Sequence, residues 1–285
     1  MSALARPRSA APVLPRARPL GRLAIAALHA ELACSPKPGL VTPFSRGSHQ
    51  DMDAGTFLRS LFALRGYFTA IAAQAATCAD FAPLRQLGIQ AERGMLSATG
   101  NVNTHRGAIF SLGLLVASAA RLRAEACPAR SADAVCDGVR QWRHALLRAP
   151  LDATSPGQRA RARHAVPGVR EQAAAGFPLL REVAVPVLRA ALADGLPRDA
   201  ALLQTLMQLV AVTDDLNLLH RGGAEGLAFA QAQARGFLAA GGVRAADASA
   251  HMARICNAFE QRRLSPGGSA DLLACALFLL QQEAA

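Results

Sequence analysis

Apolar residues recur at the i, i+3, i+4, i+7 spacing of a helix along almost the whole chain, and runs suited to a strand are nearly absent. A chain so patterned can bury its apolar stripes only against other helices. Hydrophobic residues make up 52% of the 285 positions and aromatics only 5%. The core must therefore be built from Ala, Leu and Val, and the first two lead the helix-propensity ranking. The spacing predicts helices over 20–34, 53–78, 83–98, 105–125, 132–148, 159–175, 179–194, 198–213, 224–240, 243–263 and 269–283. Pro36, Pro38 and Gly39 close the first of these, and Pro128 and Pro156 fall between others. The short connections predict one all-α domain over 20–285, a single globular bundle of about ten helices. The stretch 151–163 reads as the least ordered part of it. Residues 1–19, rich in Pro and Arg and without an apolar run, read as a disordered basic tail and not as a secretory leader. No apolar run reaches the roughly 20 residues that span a bilayer, so no membrane segment is expected.

Cys34, Cys78, Cys127, Cys136, Cys256 and Cys275 are scattered, with no Cys-x-x-Cys pair. They read as free, reduced thiols, which predicts a cytoplasmic protein. The formal net charge is +11, and Lys37 is the only lysine. Nucleic acid, an anionic membrane and small polyphosphates are the partner classes that such a charge suits. The aromatics show no RNA-binding interleaving and no DNA-binding motif stands out, which leaves polyphosphates as the expected partners and nucleic acid excluded.

Four segments interrupt the helical pattern and concentrate the polar side chains: 37–53, 99–107, 213–223 and 265–271. Loops at the ends of rigid helices are where sites usually sit. In the first, His49-x-Asp51-x-Asp53 puts two carboxylates on one side of an extended segment, suited to a shared Mg2+; one of them can instead cap the helix that follows. In the second, Asn103, Thr104 and His105 precede Arg106, whose fork suits a phosphate beside a helix N-terminus. Thr104 also reads as a cap. In the third, Asp214 and Asp215 repel one another unless a cation neutralises them. Asn217, Arg221, Gly222 and Gly223 follow, and the glycines would let backbone N–H groups approach phosphate oxygens; a solvated helix end closed by a Gly cap is the alternative. In the fourth, Ser269 is an N-cap candidate and Asp271 suits the positive end of its own helix. Glu92, on the helix 83–98, is either a surface acid or an inward-facing base.

Six ordered stretches resemble the triphosphoribosyl-dephospho-coenzyme A synthases: Lys37-Pro-Gly-Leu-Val, Gly47-x-His49-x-Asp51-Met-Asp53, Val102-Asn-Thr-His-Arg-Gly-Ala-Ile-Phe110, Gly176-Phe-Pro178, Asn217-Leu-Leu-His-Arg-Gly-Gly223 and Ser265-Pro-Gly-Gly-Ser-Ala-Asp271. Within that family, Leu40-Val-Thr-Pro43 and the stretch 56–64 look closer to the malonate decarboxylase branch than to the citrate lyase branch. Two positions depart from the family pattern: Asn101 stands where Gly is expected, and Leu216 where Thr is. The resemblance implies a bacterial transferase of the cytoplasm. Its 3′-dephospho-coenzyme A would attack the ribose of ATP through the 2′-hydroxyl and release adenine, making the precursor of an acyl carrier's prosthetic group. On this reading Asp51, Asp53, Asp214 and Asp215 bind Mg2+, while His49 or Glu92 is the base. Lys37, Arg46, Asn103, His105, Arg106, Asn217, Arg221, Gly222 and Gly223 bind the nucleotides. A homodimer stays open. The residues alone also leave room for an ADP-ribosyl hydrolase-like N-glycosidase or a non-catalytic basic helical module; an isoprenoid synthase would want Asp-Asp-x-x-Asp on facing helices, which is not found.

Overall fold

The computed structural model describes residues 13–125, 130–148, 161, 163 and 166–285, with the backbone alone for 13–16. Every regular element among them is helical. Among the described residues twelve α-helices follow one another: α1 (Val13–Ala33), α2 (Ala54–Thr77), α3 (Phe81–Thr99), α4 (Arg106–Ala124), α5 (Ala132–Val139), α6 (Arg143–Arg148), α7 (Val169–Ala174), α8 (Val185–Ala193), α9 (Arg198–Val212), α10 (Leu216–Ala239), α11 (Ala248–Gln261) and α12 (Gly267–Glu283). The all-α bundle read from the periodicity is what the chain forms.

α4 and α12 are the central helices. Both are buried almost all round, and each packs on α1 and on the other, with α2 also against α4 and α9 against α12. α4 is apolar and long enough to cross a membrane by length and composition, but 67% of its most apolar window is buried inside the protein. Its sequence is that of a helix enclosed by other helices, where each buried Leu contributes about 1.5–3 kcal/mol.

The predicted boundaries fail where local chemistry overrides the period. α1 starts at Val13, seven residues ahead of the predicted 20, with Pro19 accommodated inside it; residues 1–12 of the expected tail lie outside the described residues. The run 132–148 is divided by a 3₁₀ turn at Arg140–Trp142, and a π turn at Leu180–Ala184 opens the stretch 179–194. The run 243–263 begins with a 3₁₀ turn, Gly242–Arg244, and becomes α-helical only at Ala248. Of the helix expected over 159–175, only Val169–Ala174 forms a described element, and most of 151–163, like Cys127, lies outside the described residues. The largest difference is α10. The loop expected over 213–223 is helical from Leu216, because Asp215 caps it, and Gly223 then kinks it at φ 63° and ψ −162°. Only glycine adopts such a conformation without strain. Gly223 therefore separates two helical segments that continue one another across a kink, close to the helix start expected at 224.

Candidate active site

The N-termini of α4, α10 and α12 and the 37–53 segment that leads into α2 meet at one end of the bundle. They surround a cavity of about 870 Å³. Three of the four polar segments thus contribute helix starts, whose free N–H groups and partial positive charge favour anionic ligands.

The 37–53 segment is held from several sides. Lys37 is 3% exposed and donates from Nζ to the Glu31 carbonyl at 2.6 Å and to the Glu31 carboxylate. Ser48 Oγ donates to the Leu264 carbonyl at 2.6 Å. Arg221 spans the gap to α10: Nη1 donates to the Ser48 and Arg263 carbonyls at 3.2 and 3.1 Å, and Nη2 to His49 Nδ1 at 3.1 Å. A guanidinium has no acceptor, so His49 Nδ1 must accept. The ring proton then sits on Nε2 and is donated to Ser265 Oγ at 3.0 Å. Burial, and after it Arg221, pushes His49 down to about 4. It is neutral at pH 7 with both nitrogens engaged.

Asp215 joins two helices. One carboxylate oxygen accepts from the Asn217 and Leu218 N–H groups of α10 at 2.9 and 3.4 Å; the other accepts from Ser269 N and Oγ of α12 at 2.8 and 2.9 Å. Ser269 therefore lies in the first turn of α12 and gives its hydroxyl to Asp215; it is not the N-cap expected of it. Asp271 likewise serves another helix. It accepts from the Ala108 N–H at the start of α4, and a Cβ on Gly107 would lie 2.0 Å from its Oδ2. Only glycine permits that approach. Burial, then the neighbouring Glu31 and Asp215, holds the Asp271 carboxyl well above the usual carboxylate range.

His105 is buried at the N-terminus of α4, with Nδ1 2.7 Å from Ser60 Oγ and its ring edge-on to Phe57. Burial, then Lys37, pushes it down to about 3. His105 Nε2, Thr104 Oγ1 and Thr213 Oγ1 are all buried without a hydrogen-bond partner, and all three residues line the cavity. Unsatisfied buried polar atoms are costly, so three on residues lining one cavity mark where a polar ligand could complete the structure.

Of the residues singled out in the sequence, His49, Asp51, Glu92, Asn103, His105, Arg106, Asp214, Asp215, Asn217 and Arg221 line this cavity. Lys37 lies behind its wall with Glu31. Asp53 does not reach it: the carboxylate caps α2, accepting from Thr56 N at 2.9 Å, and pairs with Arg46 at 3.2 Å in solvent. Gly222 packs on Leu264 and Gly223 is the α10 kink, so neither is part of the lining. Asn103 caps α4 through the Arg106 N–H at 3.1 Å, and Glu92 pairs with Arg106. Glu31 and Thr213 are cavity residues that sequence reasoning did not place there. The one acid of α1, six residues before the only lysine, was the available signal for the first.

Among the described residues no group of three His, Cys, Asp or Glu side chains is arranged to hold a metal ion. The exposed carboxylates of Asp51 and Asp214 on the lining are nevertheless hard oxygen donors. That donor set fits a Mg2+ ion carried on phosphate oxygens, which needs only one or two protein carboxylates.

The two neutral histidines set a pH dependence. In the unfolded chain each takes a proton near pH 6.5; in the folded chain neither does until about 4 and about 3. Below 6.5 the unfolded state binds more protons, so stability falls as the pH drops. At pH 5.5 each histidine is expected to cost about 1 kcal/mol relative to pH 7. Urea unfolding of the wild type against His49→Gln and His105→Gln checks this: the slope of stability between pH 7 and 5 should be shallower in each variant.

A helical protein with one large cavity, walled by helix N-termini and by acids and Arg side chains, is built to bind phosphorylated small molecules. The chain belongs to the ATP:dephospho-CoA triphosphoribosyl transferase family, whose model matches residues 17–285. It is 40% identical over 260 residues to the 2-(5''-triphosphoribosyl)-3'-dephosphocoenzyme-A synthase of Pectobacterium atrosepticum, covering 87% of this chain and 84% of that one. Proteins of Citrobacter koseri (40% over 269 residues, 91% and 89% covered) and Acinetobacter calcoaceticus (38% over 266 residues, 93% and 91% covered) carry the same name with the qualifier "probable". No solved structure matches the chain.

Proposed function

We propose that this chain transfers the triphosphoribosyl group of ATP to the 2′-hydroxyl of 3′-dephospho-coenzyme A and releases adenine. The observation that carries the reading is the trio of unpartnered buried atoms, Thr104 Oγ1, His105 Nε2 and Thr213 Oγ1, on the wall of one cavity in a chain of this family. Ribose hydroxyls and a purine edge are ligands that such atoms can bind.

In the reaction the acceptor oxygen forms a bond to the ribose anomeric carbon as the bond from that carbon to adenine breaks. The hydroxyl gives its proton to a base and the departing adenine nitrogen takes one up, so that over the turnover one proton moves from hydroxyl to adenine and the base is regenerated. Positive charge spreads over the ribose in the transition state, as in other glycosyl transfers. Glu31, Asp215 and Asp271 give that charge an acidic surrounding, with Lys37 offsetting part of it. Efficient proton transfer wants a base with affinity near the working pH. In this reading Asp271, on the cavity lining, takes the proton, while His49 and Glu92, in contact with Arg221 and Arg106, position those side chains. A Mg2+ ion on the triphosphate would be held from the protein side by Asp51 and Asp214, neutralising phosphate charge. The product would serve the acyl carrier of a malonate decarboxylase, a reading supported by the 40–43 and 56–64 segments, in the cytoplasm of a bacterium.

Incubating the purified chain with ATP, Mg2+ and 3′-dephospho-coenzyme A should release free adenine, read by chromatography, only when both nucleotides are present. Adenine from ATP alone, or consumption of ADP-ribose, would overturn the assignment in favour of a hydrolase.

A further inference from the structure

The cavity is not uniformly polar. One face of the first three turns of α3 lines it: Phe81, Leu84, Arg85, Gly88, Ile89 and Glu92 follow helical spacing. On α4 the lining includes Arg106, Phe110 and Leu114. Glu92 pairs with Arg106, while Gly88 faces Tyr67, whose hydroxyl donates to the Ile109 carbonyl at 2.8 Å and abuts Gly113. The two helices therefore run antiparallel, with their charged ends together beside the α4 N-terminus. Away from that end the two faces become mostly apolar, Arg85 being the charged exception on α3, and Leu146, Phe177 and Leu179 add apolar lining beside Arg170 and Gln172. The result is a trough that starts at an ion pair and turns hydrophobic. From Glu92 to Phe81 it runs about 16 Å, at the helical rise of about 1.5 Å per residue.

We infer that this trough receives the pantetheine arm of 3′-dephospho-coenzyme A, with the diphosphate that carries the arm at the Arg106 end. The inference rests on the proposed reaction. The arm is uncharged, begins with a branched hydrocarbon unit and ends in a thiol. A chain of about a dozen bonds extends about 15 Å, at the roughly 1.2 Å per bond of an extended backbone. That length matches the trough. A purine is short and flat and would leave most of it empty, so ATP is bound by the polar end alone.

Gly88 gives the test. A Cβ there would meet only Tyr67 Oη, at 3.7 Å, and larger side chains would project into the trough. Gly94, on the same helix, is exposed and has nothing within 4 Å of an added Cβ. Gly88→Leu should raise KM for 3′-dephospho-coenzyme A at least about tenfold, the scale of a misfit in a closed apolar pocket, and leave KM for ATP within about twofold. Gly94→Leu should change neither, and helical circular dichroism verifies that both variants fold. A rise in the ATP KM instead places the donor in the trough, and unchanged values for both substrates leave the trough without a role; either overturns the inference. Calorimetric titration with 3′-dephospho-coenzyme A keeps it separate from the reaction itself. If the wild type releases no adenine, binding weakened about tenfold in Gly88→Leu alone still supports the trough, and equal binding in both variants rejects it.

Discussion

Replacing Lys37 with methionine is expected to destabilise the folded chain by about 3–5 kcal/mol, the usual cost of removing one partner from a buried ion pair. Lys37 and Glu31 are 3% and 6% exposed. Methionine fills the space of the lysine stem, so the loss comes from Glu31, left charged without its cation. The neighbouring Asp271 and Asp215 make matters worse, because they too are acids on the same wall. The urea midpoint reports the loss directly. The pair itself, as distinct from its breaking, should contribute little: in Lys37→Met with Glu31→Leu most of the stability should return, since buried ion pairs exchange for apolar ones at small net cost. An unchanged midpoint in Lys37→Met would show that the two groups are not coupled as the geometry requires.

Lys37 also shows where sequence reading stops. Its segment was legible as functional because polar residues cluster there between apolar helices. Its partner was not, because Glu31 lies in a helix and acquires meaning only when the chain turns back at Pro36–Gly39. Asp271 is the same case at longer range. Read along the chain it belongs to the start of its own helix; in the fold it accepts from the start of α4, some 160 residues earlier in sequence. Asp53 was legible both as a metal ligand and as a cap and Asp215 only as a metal ligand, and the hydrogen bonds show both carboxylates engaged in capping. The helices were readable because the 3.6-residue period is a property of the burial that makes them. Their ends depend on single caps and on Gly223, which the period does not register. One departure from the family pattern finds its reason in the backbone. Asn101 has φ 67°, and Asn is the residue other than Gly that enters the left-handed region most readily.

Arg106 is where the largest loss of activity is expected. It is the first residue of α4, at the positive end of that helix, and it lines the cavity where the apolar trough meets the polar wall. Its side chain pairs with Glu92, and both groups are about a third exposed, 32% and 31%. A pair that exposed contributes at most about 1 kcal/mol to folding. Against a phosphate, the same guanidinium offers two charge-assisted hydrogen bonds, each worth about 1.5–3 kcal/mol in a closed site. Arg106→Ala should therefore fold normally and lose roughly 10²–10³ in kcat/KM. Arg106→Lys keeps the charge without the fork and should recover only part of the loss. Glu92→Gln weakens the tether that holds the guanidinium and should change kcat/KM far less than Arg106→Ala does. Steady-state adenine release across the three variants, with urea midpoints in parallel, separates binding from folding. A kcat/KM for Arg106→Ala within about threefold of the wild type would remove Arg106 from the phosphate site. Loss of activity with an equal fall in stability would make it a structural residue of the α3–α4 contact, and the diphosphate would need another anchor.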